Sequence, residues 1–184
     1  MNVFYSELSN VIDLEELTGT DPGYQNFDKR LSRGVEFEYN FKTKLEHNFY
    51  FNATYIDAGY TIPEEDYPES NVPMPDISDV MLKAMYIYKP TRELSFGTTW
   101  RYFSQTQLNE VVAGDADEYD ATAKAAHIFD ETITYRFSPS SEIRATVKNL
   151  FDADVRMPAY YYYTADGGIQ REGRNYFVSY VHRF

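Results

Sequence analysis

Two runs of carboxylates, Glu64, Glu65 and Asp66, and Asp115, Asp117, Glu118 and Asp120, are the side chains whose types and spacing come nearest to metal chemistry. Carboxylate oxygens are hard ligands, and Asp115-x-Asp117-x-x-Asp120 could offer three of them to a divalent cation. A calcium loop also needs its central Gly and distal Glu, and the pattern has neither. Both runs therefore read as solvated surface loops. The consecutive rings of Tyr160, Tyr161, Tyr162 and Tyr163 are the candidate ligand contacts, since aromatic faces take cations and ring systems. His47, His127 and His182 fall in different segments, with no i, i+4 pair and no Cys partner, so no metal site is expected. No nucleophile elbow, phosphate loop or zinc motif occurs, so the sequence offers no catalytic residues, no enzyme activity and no cofactor. Asn52-Ala53-Thr54 is a formal glycosylation sequon, but it falls in mid-strand.

Composition narrows the choice further. The formal net charge of −12 argues against nucleic acid, which demands basic patches. The absence of cysteine removes disulfides and thiolate chemistry. There are 18 Tyr and 13 Phe, yet mean hydropathy is −0.55, because the rings are interleaved with polar residues. No apolar run is long enough for a transmembrane helix, which needs about 18 residues. Barrel strands of about 9–11 residues, apolar on one face only, escape that criterion.

The interleaving has period two. Strands are expected at 2–13, 30–42, 46–58, 80–89, 93–106, 127–137, 142–152 and 174–184. Val35, Phe37, Tyr39 and Phe41 oppose Glu36, Glu38 and Asn40. Phe49, Phe51, Ala53 and Tyr55 oppose Asn48, Tyr50, Asn52 and Thr54. Leu94, Phe96, Thr98, Trp100 and Tyr102 form a third such face, and Ile143, Ala145 and Val147 a fourth. A helix is conceivable at 80–89, though Pro90 favours a strand, and 13–17 could form a short helical turn. Tight connections at 42–46, 89–93 and 137–142 alternate with long ones at 14–29, 59–79, 107–126 and 153–173.

Short turns at one end and long loops at the other characterise an antiparallel up-and-down transmembrane β-barrel. Eleven residues at ~3.3 Å rise and ~45° tilt span about 25 Å, the height of its apolar band. The polar faces must then point to a lumen, which places Glu36, Glu38, Lys83, Arg101, Arg144 and Lys148 inside. Glu36 and Glu38 are expected to pair with Arg101 or Arg144 across it. Tyr176, Val178, Tyr180, His182 and Phe184 share one face of the last strand. They are expected to form a lipid-facing closing strand, which resembles the recognition signal read by the barrel assembly machinery. The four tyrosines at 160–163 fit an interfacial girdle better than a ligand site.

Several stretches resemble the C-terminal part of TonB-dependent outer-membrane receptors. Asn26 with Gly34-Val-Glu-Phe-Glu is similar to one family strand. Val147-Lys-Asn-Leu-Phe-Asp152 is similar to the penultimate strand. Gly173-Arg174-Asn-Tyr-Phe, leading to Phe184, is similar to the last, and Pro73 to Asp79 resembles a loop-to-strand entry. The likeness runs in order over nearly the whole chain. It implies part of a barrel of about 22 strands that closes around an N-terminal plug. Such receptors import a scarce small-molecule ligand, commonly an iron–siderophore complex, with energy from the TonB system.

On this reading residues 1–184 are a C-terminal barrel segment of about eight strands, without plug or signal peptide, in the bacterial outer membrane. Its partners are membrane lipid, the assembly machinery, the ligand and, through the missing part, TonB. A self-contained eight-stranded structural or adhesive barrel would instead pair its first and last strands. A soluble lipocalin-like barrel would turn its apolar faces inward.

Overall fold

The computed structural model describes residues 1–16, 22–43, 46–61, 71–73, 77–106, 123–157 and 169–184. All its regular elements are strands: β1 (Asn2–Glu16), β2 (Pro22–Lys42), β3 (His47–Thr61), β4 (Asn71–Pro73), β5 (Val80–Tyr88), β6 (Leu94–Phe103), β7 (Ala126–Ser138), β8 (Ser141–Lys148), β9 (Arg156–Met157), β10 (Ile169–Gln170) and β11 (Asn175–His182). Eight of them form one antiparallel sheet in the order β1-β2-β3-β5-β6-β7-β8-β11, so each strand lies beside its neighbours in the chain. β4 adds to β3, and β9 and β10 form a separate ribbon. This is the up-and-down arrangement expected, with β1 and β11 at its two ends.

The short connections share one end. There the end of β5, β7 and β11 bonds back to the turn that opens the strand before it in the sheet: Lys89 N–H donates to Glu46 O at 3.2 Å, Arg136 N–H to Glu93 O at 2.8 Å and Arg183 N–H to Ser140 O at 2.8 Å. Glu46 takes a left-handed φ of 62° to close its turn. The segment at 80–89 is a strand, as Pro90 suggested.

Three expectations need correction. No helical turn forms in the described part of 13–17: Asp13 to Glu16 continue β1, opposite Gln25, Tyr24, Gly23 and Pro22. Much of the long connection expected at 14–29 is accordingly strand, β1 to Glu16 and β2 from Pro22, because backbone pairing goes on where the apolar alternation has stopped. At the other end of the chain, the strand expected at 142–152 stops at Lys148. Asn149 and Asp152 have φ of 50° and 54°, which turns the chain out of the ladder.

A single-layer sheet buries little by itself. Among the described residues the buried apolar set is Ala123, Ala126, Ile128 and Val155, and no large side chain is fully buried. Val155 reaches this set because the chain after β8 folds back over Ala126 and Ile128, with Phe103 and Ala153 packed against it. Gly34 holds the other close approach. A Cβ there would meet the Tyr55 carbonyl oxygen and lie 2.7 Å from the Phe4 ring across the β1–β2 pair.

Candidate functional site

Register decides which side chains share a face, because directly opposed residues point the same way. One continuous face runs through Val35 and Tyr55, Phe37 and Ala53, Tyr39 and Phe51, and Phe41 and Phe49. It continues through Phe49 and Tyr86 to Tyr88 and Phe96, Trp100 and Phe129, and Tyr180 and Ile143. Ring pairs line it: Phe49–Tyr86 centroids are 4.5 Å apart, Tyr135–Phe137 5.0 Å and Trp100–Phe129 6.5 Å. All three histidines belong to this face. His47 stacks on Tyr88 at 4.8 Å and its Nδ1 meets the Tyr86 hydroxyl at 2.7 Å. The Trp100 indole N–H donates to His127 Nδ1 at 3.2 Å. His182 meets Ser141 Oγ at 2.8 Å and the Phe184 ring edge-on at 4.8 Å. They sit among rings on three different strands.

The aromatic face has an upper limit. One row beyond Val35 and Tyr55, Arg33 opposes Asp57 and binds it at 2.8 Å. In the next row Glu7 opposes Leu31, accepts the Tyr5 hydroxyl at 2.8 Å and meets Lys29 of the row beyond at 3.2 Å. The same surface thus changes from rings to ion pairs within one step along two adjacent strands.

The opposite face is polar and carries every residue expected inside. Glu38 opposes Asn52, Asn52 opposes Lys83, and Lys83 opposes Arg101, giving a polar row across β2, β3, β5 and β6. Glu36, Arg144 and Lys148 lie on the same face. The expected pairing of Glu36 or Glu38 with Arg101 or Arg144 does not form. Three strand spacings separate β2 from β6, about 14 Å, too far for the side chains to meet. Arg101 instead binds Asp130 on the adjacent strand at 2.6 Å. Arg144 binds Glu142 of its own strand at 3.3 Å, which Arg136 also approaches at 3.7 Å. Lys148 Nζ lies 5.1 Å over the Phe177 ring.

The polar network reaches its densest point at the end of β8. Asp130 takes Arg101 on Oδ2, and on Oδ1 it accepts the Asn149 backbone N–H at 2.9 Å. Buried Asn149 donates from Nδ2 to Ala153 O and accepts the Ala153 N–H on Oδ1, both at 2.9 Å. Asp152 then accepts the Arg174 backbone N–H at 2.8 Å, joining this turn to the entry of β11. Gly173 leaves room beside it, since a Cβ there would stand 2.9 Å from Asp152 Oδ1 and push that carboxylate aside. The Asn149-Leu-Phe-Asp152 and Gly173-Arg174 stretches are therefore two halves of one clamp. Asp130, which joins Arg101 to this clamp, carries no motif; only its place beside Thr99, diagonal to the Arg101 guanidinium on β6, reveals it.

Tyr176, Val178, Tyr180 and His182 share the aromatic face of β11, opposite Val147, Ala145, Ile143 and Ser141 of β8. Tyr176 is 70% and Val178 73% exposed, because β11 is the last strand of the path. Glu64, Glu65, Asp66, Asp115, Asp117, Glu118 and Asp120 lie outside the described residues, as do Tyr160, Tyr161, Tyr162 and Tyr163.

A family model described as TonB dependent receptor-like, beta-barrel matches residues 1–150. Solved structures extend the likeness to the whole chain. A ferric-catecholate import receptor, Fiu of E. coli K12, matches 98% of this chain at TM-score 0.70 and 17% identity. The copper transporter OprC matches 99% at TM-score 0.73 and 18% identity. The siderophore receptor PirA of Acinetobacter baumannii matches 99% at TM-score 0.71 and 17% identity. The chain spans 24%, 28% and 29% of those three proteins. No curated protein sequence matches it.

Proposed function

We propose, because the chain belongs to the TonB-dependent receptor-like β-barrel family, that it forms part of the wall of an outer-membrane barrel importing a scarce ligand with energy from the TonB system. The observation that carries the reading is the pairing order. A self-closed eight-stranded barrel would join β1 to β11, whereas these strands lie at opposite ends of the path. Both edges then call for further strands, since a membrane offers no partner to backbone N–H and C=O groups.

The two faces support the same placement. From Phe41 to Arg33 is eight residues, about 26 Å of strand and about 19 Å of membrane depth at ~45° tilt. That fits within an apolar band about 25 Å tall, with the Arg33–Asp57 row at its boundary on the long-connection side. The polar face would line the lumen around a plug, with the clamp at Asp130, Asn149 and Asp152 holding the last two long strands in register. Tyr176, Val178, Tyr180, His182 and Phe184 would be read by the barrel assembly machinery.

Of the cargo classes, a ferric siderophore complex has the larger support, since Fiu and PirA are described as siderophore or ferric-catecholate receptors. OprC, described as a copper transporter, keeps copper as the second reading. The test is uptake of radiolabelled ferric siderophores and of copper by cells carrying the full-length protein, with and without a working TonB. TonB-dependent accumulation of either supports the reading. Equal accumulation of both, with or without TonB, would sink it.

A further inference from the structure

Glu131 breaks the chemistry of the face it occupies. It lies on the aromatic face of β7, between Phe129 and Ile133 along the strand and between Thr98 and Val147 across it. The Thr98 hydroxyl donates to its Oε2 at 2.6 Å. Its Oε1 has no partner among the described residues. Rings surround the pair in register: Tyr86 opposes Thr98, Phe96 opposes Ile133, and Trp100 opposes Phe129. Glu131 is seven residues from Ser138, about 16 Å above the short-turn end at ~45° tilt, hence inside an apolar band about 25 Å tall.

A carboxylate at that depth meets hydrocarbon, which supplies neither donor nor countercharge. An ionisable group in such a place marks a site, and its partner must match both the charge and the rings. A carboxylate with one open oxygen among Tyr86, Phe96, Trp100 and Phe129 matches an alkylammonium: the charge goes to Oε1 and the methylene or methyl groups to the ring faces. An amine in water would have no reason to reach it. We infer that Glu131 and Thr98, with these four rings, form an outward-facing site for a membrane-dissolved organic ammonium ion, a cationic head on an apolar body.

The inference rests on the aromatic face meeting lipid, and one experiment separates the two. Trp100 is the sole tryptophan of the chain, so its fluorescence reports on this site directly. The full-length barrel, with any tryptophan outside this segment replaced by Phe, would be folded into vesicles of an uncharged galactolipid and titrated with a chain-brominated alkyltrimethylammonium. A chain-brominated diacylglycerol, which carries no ammonium group, serves as the neutral quencher. Saturable quenching by the cationic probe is expected at roughly one tenth of the membrane concentration the neutral one needs. Glu131→Gln, which keeps the acceptor for Thr98, should abolish that preference, while Glu142→Gln on the polar face should leave it. Equal quenching by both probes, or a preference that survives Glu131→Gln, overturns the site. If the neutral lipid quenches nothing, the membrane placement fails first, and the site with it.

Discussion

The Asp152 carboxylate accepts the backbone N–H of Arg174 at 2.8 Å, bridging 22 residues of chain to set the entry of β11 beside the end of β8. Asp152 is itself held in a left-handed turn by its own N–H, which donates to Asn149 O at 2.9 Å. One short polar stretch thus aligns the last strand pair through backbone contacts.

Asn149→Ala should weaken this clamp more than Asp152→Ala. Asn149 is buried, and its side chain makes two hydrogen bonds to Ala153, so its loss should cost about 1–3 kcal/mol. The Asp152 side chain is 55% exposed, and water can replace part of what it does, leaving about 1 kcal/mol. Denaturant unfolding of the two variants in detergent micelles orders them; equal midpoints would place the clamp elsewhere.

Gly34→Val is expected to destabilise by about 1–3 kcal/mol, since any Cβ must displace both the Phe4 ring and the Tyr55 carbonyl. Combining it with Phe4→Ala should recover part of the loss. A double variant no better than Gly34→Val alone would mean that the Tyr55 backbone, not the ring, sets the limit.

Asp130→Ala should cost more than Arg101→Ala, about 2 against about 1 kcal/mol, because Asp130 serves two donors and Arg101 one carboxylate. A double-mutant cycle should return a coupling of about 0.5–3 kcal/mol. Strict additivity would make the 2.6 Å contact energetically idle.

Depth can be read from arginine substitution along β3. Phe51→Arg, in the middle of the aromatic rows, should cost about 2–4 kcal/mol for folding into a bilayer, and Tyr55→Arg, beside the Arg33–Asp57 row, about 0–1 kcal/mol. A flat profile would contradict a membrane boundary at that row.

Much of this architecture could be read from the residues. Val35 to Phe41, Phe49 to Tyr55 and Leu94 to Tyr102 show their faces in the chain itself, because a strand lays its alternation out in order. What escaped was non-local. That Arg101 meets Asp130 rather than Glu36 depends on which strands adjoin, a relation no segment contains. Leu150 and Phe151 look like strand residues, and only the backbone at Asn149 ends β8 before them. Asp13 to Glu16 look like a charged turn, yet β2 supplies a partner that carries them on as strand. Glu131 was invisible for the opposite reason: alternation averages over a strand, and one carboxylate among rings vanishes in the average.

The most direct test of the two-faced wall is single-cysteine accessibility along β7, in a chain that has no cysteine of its own. With the protein folded in lipid vesicles, cysteines at Thr132 and Thr134 should react with a water-soluble maleimide. Those at Ile133 and Tyr135 should be shielded from it and react with a lipid-dissolved one. Reactivity that ignores the alternation, or labelling from water at Ile133 and Tyr135 with protection at Thr132 and Thr134, would contradict an aromatic face turned to lipid and a polar face turned to a lumen.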